Sequence, residues 1–291
     1  MSTSTTLIEG LYFGEGPRWH DGRLWFSDFY DQAVKSIAGS GELRVEHRFD
    51  DVPSGLGWLP DGRLLVVAMR TMQLLRQEGD GFVVHADLSG LSAHRCNDMV
   101  VDRRGRAYVG NFGFDLDSAM HERGAESVML DHPRTNLVRV DPDGSVHCAA
   151  PDMSFPNGAV ITADGATLIV AESLALRLTA FDIASDGALS NRREWAQVGL
   201  RAPDGICLDE NGCVWFANAL APECLLMAEG GEIVDRVETS QNCYACMLGG
   251  ADGKDLFLMT AQDSSAGAAS TARTGKVEVA RAPAARAAGC P

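Results

Sequence analysis

Six tight-turn motifs recur along the chain, and this internal repeat narrows the possible folds to a few. Each motif leads into a run of β-forming residues, and the six are HDGRLWFSD at 20, PDGRLLVVAM at 60, RRGRAYVGN at 103, ADGATLIVAE at 163, ENGCVWFAN at 210 and ADGKDLFLMT at 251. The turns follow one another after 40, 43, 60, 47 and 41 residues. Asp, Asn and Gly tolerate the positive φ of hairpin turns. A period of forty-odd residues is typical of a four-stranded propeller blade.

A second short apolar segment completes the pattern of every repeat. These segments are AVKSI, QLLRQ, NLVRV, RLTAFDI, CLLMAE and GKVEVAR. Runs such as LLVVAM are apolar on both faces, as expected for strands between neighbouring blades. We predict an all-β fold, a six-bladed β-propeller, as a single domain over residues 1–291. The segment around Leu7 and Ile8 should add the outer strand of the last blade, whereas residues 1–6 should be disordered and residues 264–273 mobile.

The charge balance and the N-terminal sequence exclude several classes of partner. The formal net charge is -15, and no basic patch is visible that would attract a phosphate backbone. The start MSTSTTLIEG has neither a basic segment nor an apolar one, and no run of about 18 apolar residues follows. We expect a cytoplasmic monomer or homodimer that binds neither nucleic acid nor membrane.

Eight cysteines are scattered along the chain, and without an export signal they should stay reduced. Cys243 and Cys246 have the CxxC spacing of zinc ligands, but no second CxxC or histidine pair accompanies them. We favour two small apolar residues of a tight loop over a structural zinc site.

The position about seven residues before each turn is predicted to face the channel axis. In a propeller the innermost strand of each blade begins at one face of the central channel, so the side chains at its start meet there. These positions are occupied by Glu15, Ser54, Asn97, Asn157, Asp204 and Ala245–Cys246. The sequence therefore predicts one axial site built from residues that are far apart in the chain.

Four of these positions carry oxygen donors, namely two carboxylates and two amide carbonyls. Such donors suit a divalent cation, calcium first, with magnesium, manganese or zinc also possible. Asn and Asp before Gly are also ordinary turn formers, which is the alternative explanation for Asn157 and Asp204. Turn formation does not explain why Glu15, Asn157 and Asp204 share one position of the repeat, so we favour a metal site.

The motifs GEGPRW, RCND, FPNG and PDGICLDENGCVW resemble those of the senescence marker protein, gluconolactonase and luciferin-regenerating-enzyme-like family of six-bladed propellers. The resemblance extends over nearly the whole chain. It implies that Glu15, Asn157 and Asp204 hold a divalent metal. It also implies that Arg95 and Asn97 contact substrate oxygens.

Two features depart from the sugar-lactonase members of that family. The third repeat is the longest, and its excess, residues 112–135, is predicted to be a lid loop over the metal face. Met99, Cys246 and Met247 are expected to make the surroundings less polar than a polyhydroxylated substrate prefers.

The resemblance implies a divalent-metal-dependent lactonase that opens a cyclic ester with metal-activated water. A metal with three protein ligands has positions left for water and for a carbonyl oxygen, and it lowers the pKa of the water. Asp204 would be ligand and general base, while Arg95 and Asn97 would orient the lactone or ester and stabilise the oxyanion. His94 should diverge from Arg95 and not act as a base. A phosphotriesterase-like hydrolase and a non-enzymatic binding propeller are the alternatives.

Overall fold

Six β-sheets arranged in a ring make up the protein. The computed structural model describes residues 2–39 and 41–288. The inner strand of every sheet packs against the inner strand of the next, and the sixth returns to the first. The predicted six-bladed β-propeller is confirmed.

Two N-terminal strands, β1 (Ser2–Thr3) and β2 (Thr5–Leu11), precede the first blade. Blade 1 contains β3 (Gly14–His20), β4 (Arg23–Asp28), β5 (Ala33–Ala38) and β6 (Leu43–Arg48). Blade 2 contains β7 (Pro53–Trp58), β8 (Leu64–Ala68), β9 (Gln73–Glu78) and β10 (Gly81–Asp87). Blade 3 contains β11 (Cys96–Val101), β12 (Ala107–Asn111), β13 (Thr135–Val140) and β14 (Val146–Met153).

The second half of the ring repeats this order. Blade 4 contains β15 (Pro156–Ile161), β16 (Thr167–Glu172), β17 (Arg177–Ile183) and β18 (Leu189–Gln197), with a 3-10 turn at Ser173–Ala175. Blade 5 contains β19 (Pro203–Leu208), β20 (Val214–Asn218), β21 (Glu223–Met227) and β22 (Ile233–Glu238). Blade 6 contains β23 (Cys243–Gly249), β24 (Asp255–Thr260) and β25 (Gly275–Arg281).

The repeated turns join the first and second strands of each blade, as predicted. Their glycines have φ between 74° and 87°, a region that residues with a Cβ rarely adopt. The second apolar segment of each repeat forms the third strand of its blade. The number of these turn motifs in the sequence therefore equals the number of blades.

The N-terminal segment closes the ring, as predicted, but it is more ordered than we expected. Strand β2 pairs antiparallel with β25 and becomes the outer strand of blade 6. Strand β1 pairs in parallel with β22 of blade 5. The expectation of disorder at residues 1–6 is wrong for residues 2–6, because pairing with two sheet edges satisfies the backbone of this polar segment; Met1 lies outside the described residues.

The excess of blade 3 is helical and not a plain loop. It contains α1 (Leu116–Arg123) and α2 (Ala125–Leu130), and Asp115 caps α1 by accepting a hydrogen bond from the Ser118 N–H at 3.1 Å. A third helix, α3 (Ala266–Ala269), lies in the small-residue segment that we expected to be mobile. Within the described residues, no helix is long and apolar enough to cross a membrane.

Glycines allow the inner strands to approach one another closely. A Cβ at Gly158 would lie 2.5 Å from the Asp204 carbonyl oxygen, and one at Gly205 would lie 2.5 Å from the Ala245 Cβ. The glycines of FPNG and PDG are therefore required by contact between blades, and each follows a side chain that faces the channel.

Candidate active site

One side chain from each blade forms a ring at one end of the channel. It is the second residue of each inner strand, and the six are Glu15, Ser54, Asn97, Asn157, Asp204 and Tyr244. All but Ser54 line one cavity of about 220 Å³, and Ser54 lies buried behind Asn97. The structure thus brings together four of the five predicted site residues in this ring, and Arg95 lies directly before Cys96 on the same cavity.

The sixth position of the ring was predicted one residue too far along the chain. Tyr244 occupies it and lines the cavity, whereas Ala245 and Cys246 pack in the core. Tyr244 lies eight residues before the first residue of its turn, whereas Ser54, Asn97, Asn157 and Asp204 lie seven residues before theirs, so counting back from the turn stops one residue late.

A directional chain of hydrogen bonds fixes the two amide side chains. Ser54 Oγ donates to Asn97 Oδ1 at 3.0 Å, and Asn97 Nδ2 donates to Asn157 Oδ1 at 2.8 Å. Asn157 Nδ2 donates to Ser173 Oγ at 3.1 Å, and Ser173 Oγ donates to the Pro203 carbonyl at 2.7 Å. Each amide therefore has one set orientation, which leaves a second lone pair on Asn157 Oδ1 for a further partner.

The two carboxylates of the ring influence one another. Burial raises the pKa of Glu15 well above its ordinary value and the Asp204 carboxylate raises it further, while the Gly16 N–H, 2.9 Å from Glu15 Oε2, acts in the opposite direction. Burial also raises the pKa of Asp204, as does Asp98, against a hydrogen bond with Asn157. Both carboxylates are thus held where their negative charge is costly.

A buried ion pair lies beneath this ring. Arg18 Nη2 is 2.9 Å from Asp98 Oδ1, and both side chains are almost fully buried. Arg18 also donates to the carbonyl oxygens of Pro17, at 2.8 Å, and Met99. Arg18 follows Glu15 in β3 and Asp98 follows Asn97 in β11, so the pair links the inner strands of blades 1 and 3.

The charges in the channel suit one divalent cation. With all groups ionised, three carboxylates (Glu15, Asp98 and Asp204) and one guanidinium (Arg18) give -3 + 1 = -2. Carboxylate and amide oxygens are the donors that calcium and magnesium take in proteins. Among the described residues, no three or more His, Cys, Asp or Glu side chains are grouped to hold a metal, so a site here needs the Asn157 amide as its third ligand. The residues present fit such an ion.

Arg95 lies at the cavity rim and contacts the helical insert. Its Nη1 is 3.9 Å from Asp117 Oδ2, and its side chain is 38% exposed. Our expectation that His94 diverges from Arg95 is wrong, since both line the cavity. Burial lowers the pKa of His94, and the Arg95 charge lowers it further.

The helical insert provides one side of the cavity. Its lining residues are Phe112, Asp115, Leu116, Asp117 and Met120. The segment predicted as a lid therefore lies on the face where the ring of polar side chains opens.

The apolar part of the lining comes from residues that we did not single out in the sequence. Met99, Cys246 and Met247, expected to lower the polarity near the substrate, are buried in the core and do not line this cavity. The cavity is lined instead by aromatic side chains that include Phe13, Phe29, Phe112, Phe155 and Tyr244. Phe13 and Phe155 directly precede inner strands, and a search at that repeat position would have found them.

The CxxC cysteines lie on a strand and not in a tight loop as predicted. Cys243 and Cys246 are buried in β23, and Cys246 Sγ is 3.8 Å from Cys207 Sγ. The seven cysteines in the described part of the chain form no disulfide with one another, and Cys290 lies outside that part.

Comparison with known proteins points to one family. The family model described as the SMP-30/Gluconolactonase/LRE-like region matches residues 13–262. Regucalcin of Xenopus laevis is 27% identical over 266 residues, which cover 88% of this chain and 86% of that protein. The pentonolactonase of Haloferax volcanii is 27% identical over 283 residues, which cover 92% of this chain and 88% of that protein.

The fold is also found among solved structures. The structure titled as a calcium-binding protein, regucalcin from Agrobacterium tumefaciens, superposes with a TM-score of 0.76 at 20% identity. The match covers 96% of this chain and 94% of that one. At this identity the likeness concerns the fold.

Proposed function

The chain belongs to the SMP-30/gluconolactonase/LRE-like family, and from this membership we propose that it is a hydrolase that opens the ring of a lactone at the axial cavity. The observation that carries the proposal is the cavity floor, where Glu15, Asn157 and Asp204 meet. The pentonolactonase of Haloferax volcanii, a relative over most of the chain, supports the reaction class by its name.

A divalent cation, calcium first, is part of this proposal. Glu15, Asn157 and Asp204 would hold it, and the two carboxylates that meet on the cavity floor and raise one another's cost of ionisation support that assignment. The regucalcin of Agrobacterium, titled as calcium-binding, supports calcium over magnesium, manganese or zinc. Such an ion, when bound, polarises a carbonyl and makes water more acidic.

The residues of this chain supply binding, orientation and proton transfer. Asp204 is the more exposed of the two ring carboxylates, so one of its oxygens can take the proton of the attacking water. As the ring C–O bond breaks, that proton passes to the leaving alkoxide oxygen, and the product is a hydroxy acid. Arg95 and the fixed amide of Asn97 hold the oxygens of the substrate.

The alternatives are weaker. Nothing in the cavity lining favours a phosphoryl oxygen over a carbonyl oxygen. A propeller that only binds another protein has no need of two buried carboxylates on a cavity floor.

The test measures the hydrolysis of a panel of lactones through the protons that the reaction releases. The protein is first freed of metal with a chelator and is then supplied with Ca²⁺, Mg²⁺, Mn²⁺ or Zn²⁺. We expect turnover that chelation removes and one of these ions restores. A Glu15→Gln variant should bind the ion more weakly, because one of two ligating charges is lost. If no lactone were hydrolysed with any of these ions, the proposed function would be refuted.

A further inference from the structure

We propose that the cavity selects lactones that carry a bulky apolar group, such as a fused aryl ring or an alkyl chain, over polyhydroxylated sugar lactones. The inference rests on the proposed function and names the substrate class of the same site.

Each blade contributes two further residues around the polar ring. One directly precedes the inner strand and the other directly follows the second strand, and a backbone hydrogen bond of 2.9 to 3.1 Å joins the two. The pairs are Phe13 with Phe29, Val52 with Met69, Arg95 with Phe112, Phe155 with Ser173, Ala202 with Ala219, and Asn242 with Ala261. Nine of these twelve side chains are apolar, so the repeat itself builds an apolar collar.

Two aromatic groups, formed by residues of this collar and by Tyr244 of the ring, lie on opposite sides of the axis. Phe13 packs against Phe29, with ring centroids 5.4 Å apart, and against Tyr244 at 4.9 Å. These rings come from blades 1 and 6. Phe112 stacks on Phe155 at 4.4 Å, and these rings come from blades 3 and 4, which face blades 6 and 1 across a six-bladed ring. A flat apolar group above the polar floor would lie between the two aromatic walls.

The backbone at Phe155 is held in an unfavourable conformation that directs its ring. Its φ is 52°, in the left-handed region that residues with a Cβ avoid. The side chain is buried and forms the stack with Phe112. Strain of this kind persists only where the surroundings impose it, and it is concentrated at ligand sites.

Few polar groups in the collar are available to the hydroxyls of a sugar. Ser173 Oγ already accepts from Asn157 and donates to the Pro203 carbonyl. Tyr30 donates to the Ser264 carbonyl at 3.3 Å. Charged lining residues outside the floor come from one sector, namely Arg95 of blade 3 and Asp115 and Asp117 of its insert. A ring with a hydroxyl on nearly every carbon would bury several of them without partners.

The first experiment compares kcat/KM for four lactones under the metal conditions that give most turnover. Dihydrocoumarin should exceed D-glucono-δ-lactone by about 100-fold, the discrimination expected when a pocket offers hydroxyls no partners. δ-Decalactone should exceed δ-valerolactone, which has the same reacting ring, by about fourfold for each tail methylene that becomes buried. Equal or better turnover of gluconolactone would overturn the apolar preference and leave lactone hydrolysis intact.

The second experiment tests whether the two aromatic walls cause the preference for apolar lactones. Phe112→Ala should lower the ratio of kcat/KM between dihydrocoumarin and δ-valerolactone about tenfold, since half of one aromatic wall is lost. Phe82→Ala is the matched control, because Phe82 of blade 2 is a partly buried aromatic residue that packs on Phe49 and does not line the cavity. An unchanged ratio in Phe112→Ala, or the same fall in Phe82→Ala, would overturn the assignment.

A binding measurement separates substrate class from catalysis. By calorimetry, the lactam 3,4-dihydro-2-quinolinone, which resists hydrolysis, should bind the parent protein at least about 10-fold more tightly than gluconolactam. Tight binding of the aryl lactam without hydrolysis of any lactone would refute the hydrolase and support the apolar preference. Absence of both binding and hydrolysis would overturn both.

Discussion

At the scale of single residues, Asp204 has two roles in the proposed mechanism. Changing Asp204 to Asn keeps an oxygen for the cation but removes a charge and the proton acceptor, so metal affinity should fall and turnover should fall further. General-base catalysis contributes about 10²- to 10⁴-fold, and turnover at saturating metal should remain lower by that factor. The measurements are metal binding by calorimetry and kcat on the best lactone.

The control for Asp204 is Arg95→Ala. Arg95 lies at the rim and contacts Asp117 but no residue of the proposed metal set, so this variant should keep its metal affinity and lose substrate affinity. If metal-saturated Asp204→Asn hydrolysed the best lactone at the parental rate, Asp204 would be only a ligand and another group would have to accept the proton.

The buried ion pair of Arg18 and Asp98 should have a measurable effect on the stability of the protein. Arg18→Met leaves the Asp98 carboxylate buried and unpaired, and loss of one partner of a buried pair costs about 3–5 kcal/mol. Denaturant unfolding should show that loss, while the double variant Arg18→Met with Asp98→Asn should recover most of it. A single variant as stable as the parent would mean that Asp98 takes up a proton at little cost.

At the scale of elements, the sequence predicted what local chemistry determines. Five of the six turns are Asp-Gly or Asn-Gly and the other is Arg104-Gly105. Each of the six places its glycine at positive φ, so together they sufficed to locate the inner hairpins and the blade number. The same register located Glu15, Asn157 and Asp204. It failed at Tyr244, because one more residue separates Tyr244 from its turn than in the other blades and no residue in the sequence indicates the extra position.

Other elements lacked a periodic signal. Helix α1 has no fully buried residue, and its apolar stripe is only one turn long, Leu116, Ala119 and Met120. The cap at Asp115 was the other signal that could have indicated it. The aromatic collar was missed for a related reason. Phe13, Phe29 and Phe112 lie just outside strands, and at such positions the sequence does not distinguish an aromatic residue of the cavity from one of the core. Their common role follows from the ring of blades and not from their neighbours in sequence.

The helical insert is the element predicted to set substrate choice. Replacing residues 114–133 by a short Gly-Ser linker removes Asp115, Leu116, Asp117 and Met120 from the lining but leaves the four strands of blade 3. Relative kcat/KM across the lactone panel should change by roughly tenfold or more, because one methylene in a pocket already gives about 10-fold. The melting temperature should change little, since few residues of the insert are buried.

The control for this deletion is the parent protein carrying Asp117→Asn, which weakens only the contact with Arg95. An equal loss on every lactone, in a deletion protein that stays folded, would argue against a role in selectivity. A large fall in melting temperature would instead make the insert part of the structural core.

At the scale of the whole molecule, the ring depends on strands contributed from both ends of the chain. The outer strand of blade 6 is β2 at the N-terminus, and its partner β25 is near the C-terminus. In a closed ring every inner strand packs between two neighbouring blades. Loss of packing at the closing blade should therefore lower the stability of all six blades. The axial site needs that closure, because Glu15 from blade 1 and Tyr244 from blade 6 are adjacent in the ring and blade 4 lies opposite.

Removing residues 1–11 should therefore affect the whole molecule and not one edge alone. The truncation deletes the buried Leu11 and the partly buried Leu7 and Ile8, which pack on the core between blades 5, 6 and 1, and it exposes the edge of β25. Three such side chains contribute several kcal/mol, which for a chain of this size lowers the melting temperature by roughly 10 °C or more. The exposed edge should also promote aggregation. Removing residues 1–4 is the matched control, because it deletes β1 and keeps β2 in place. If both truncations melted alike, with lactone turnover unchanged, closure by β2 would not stabilise the ring.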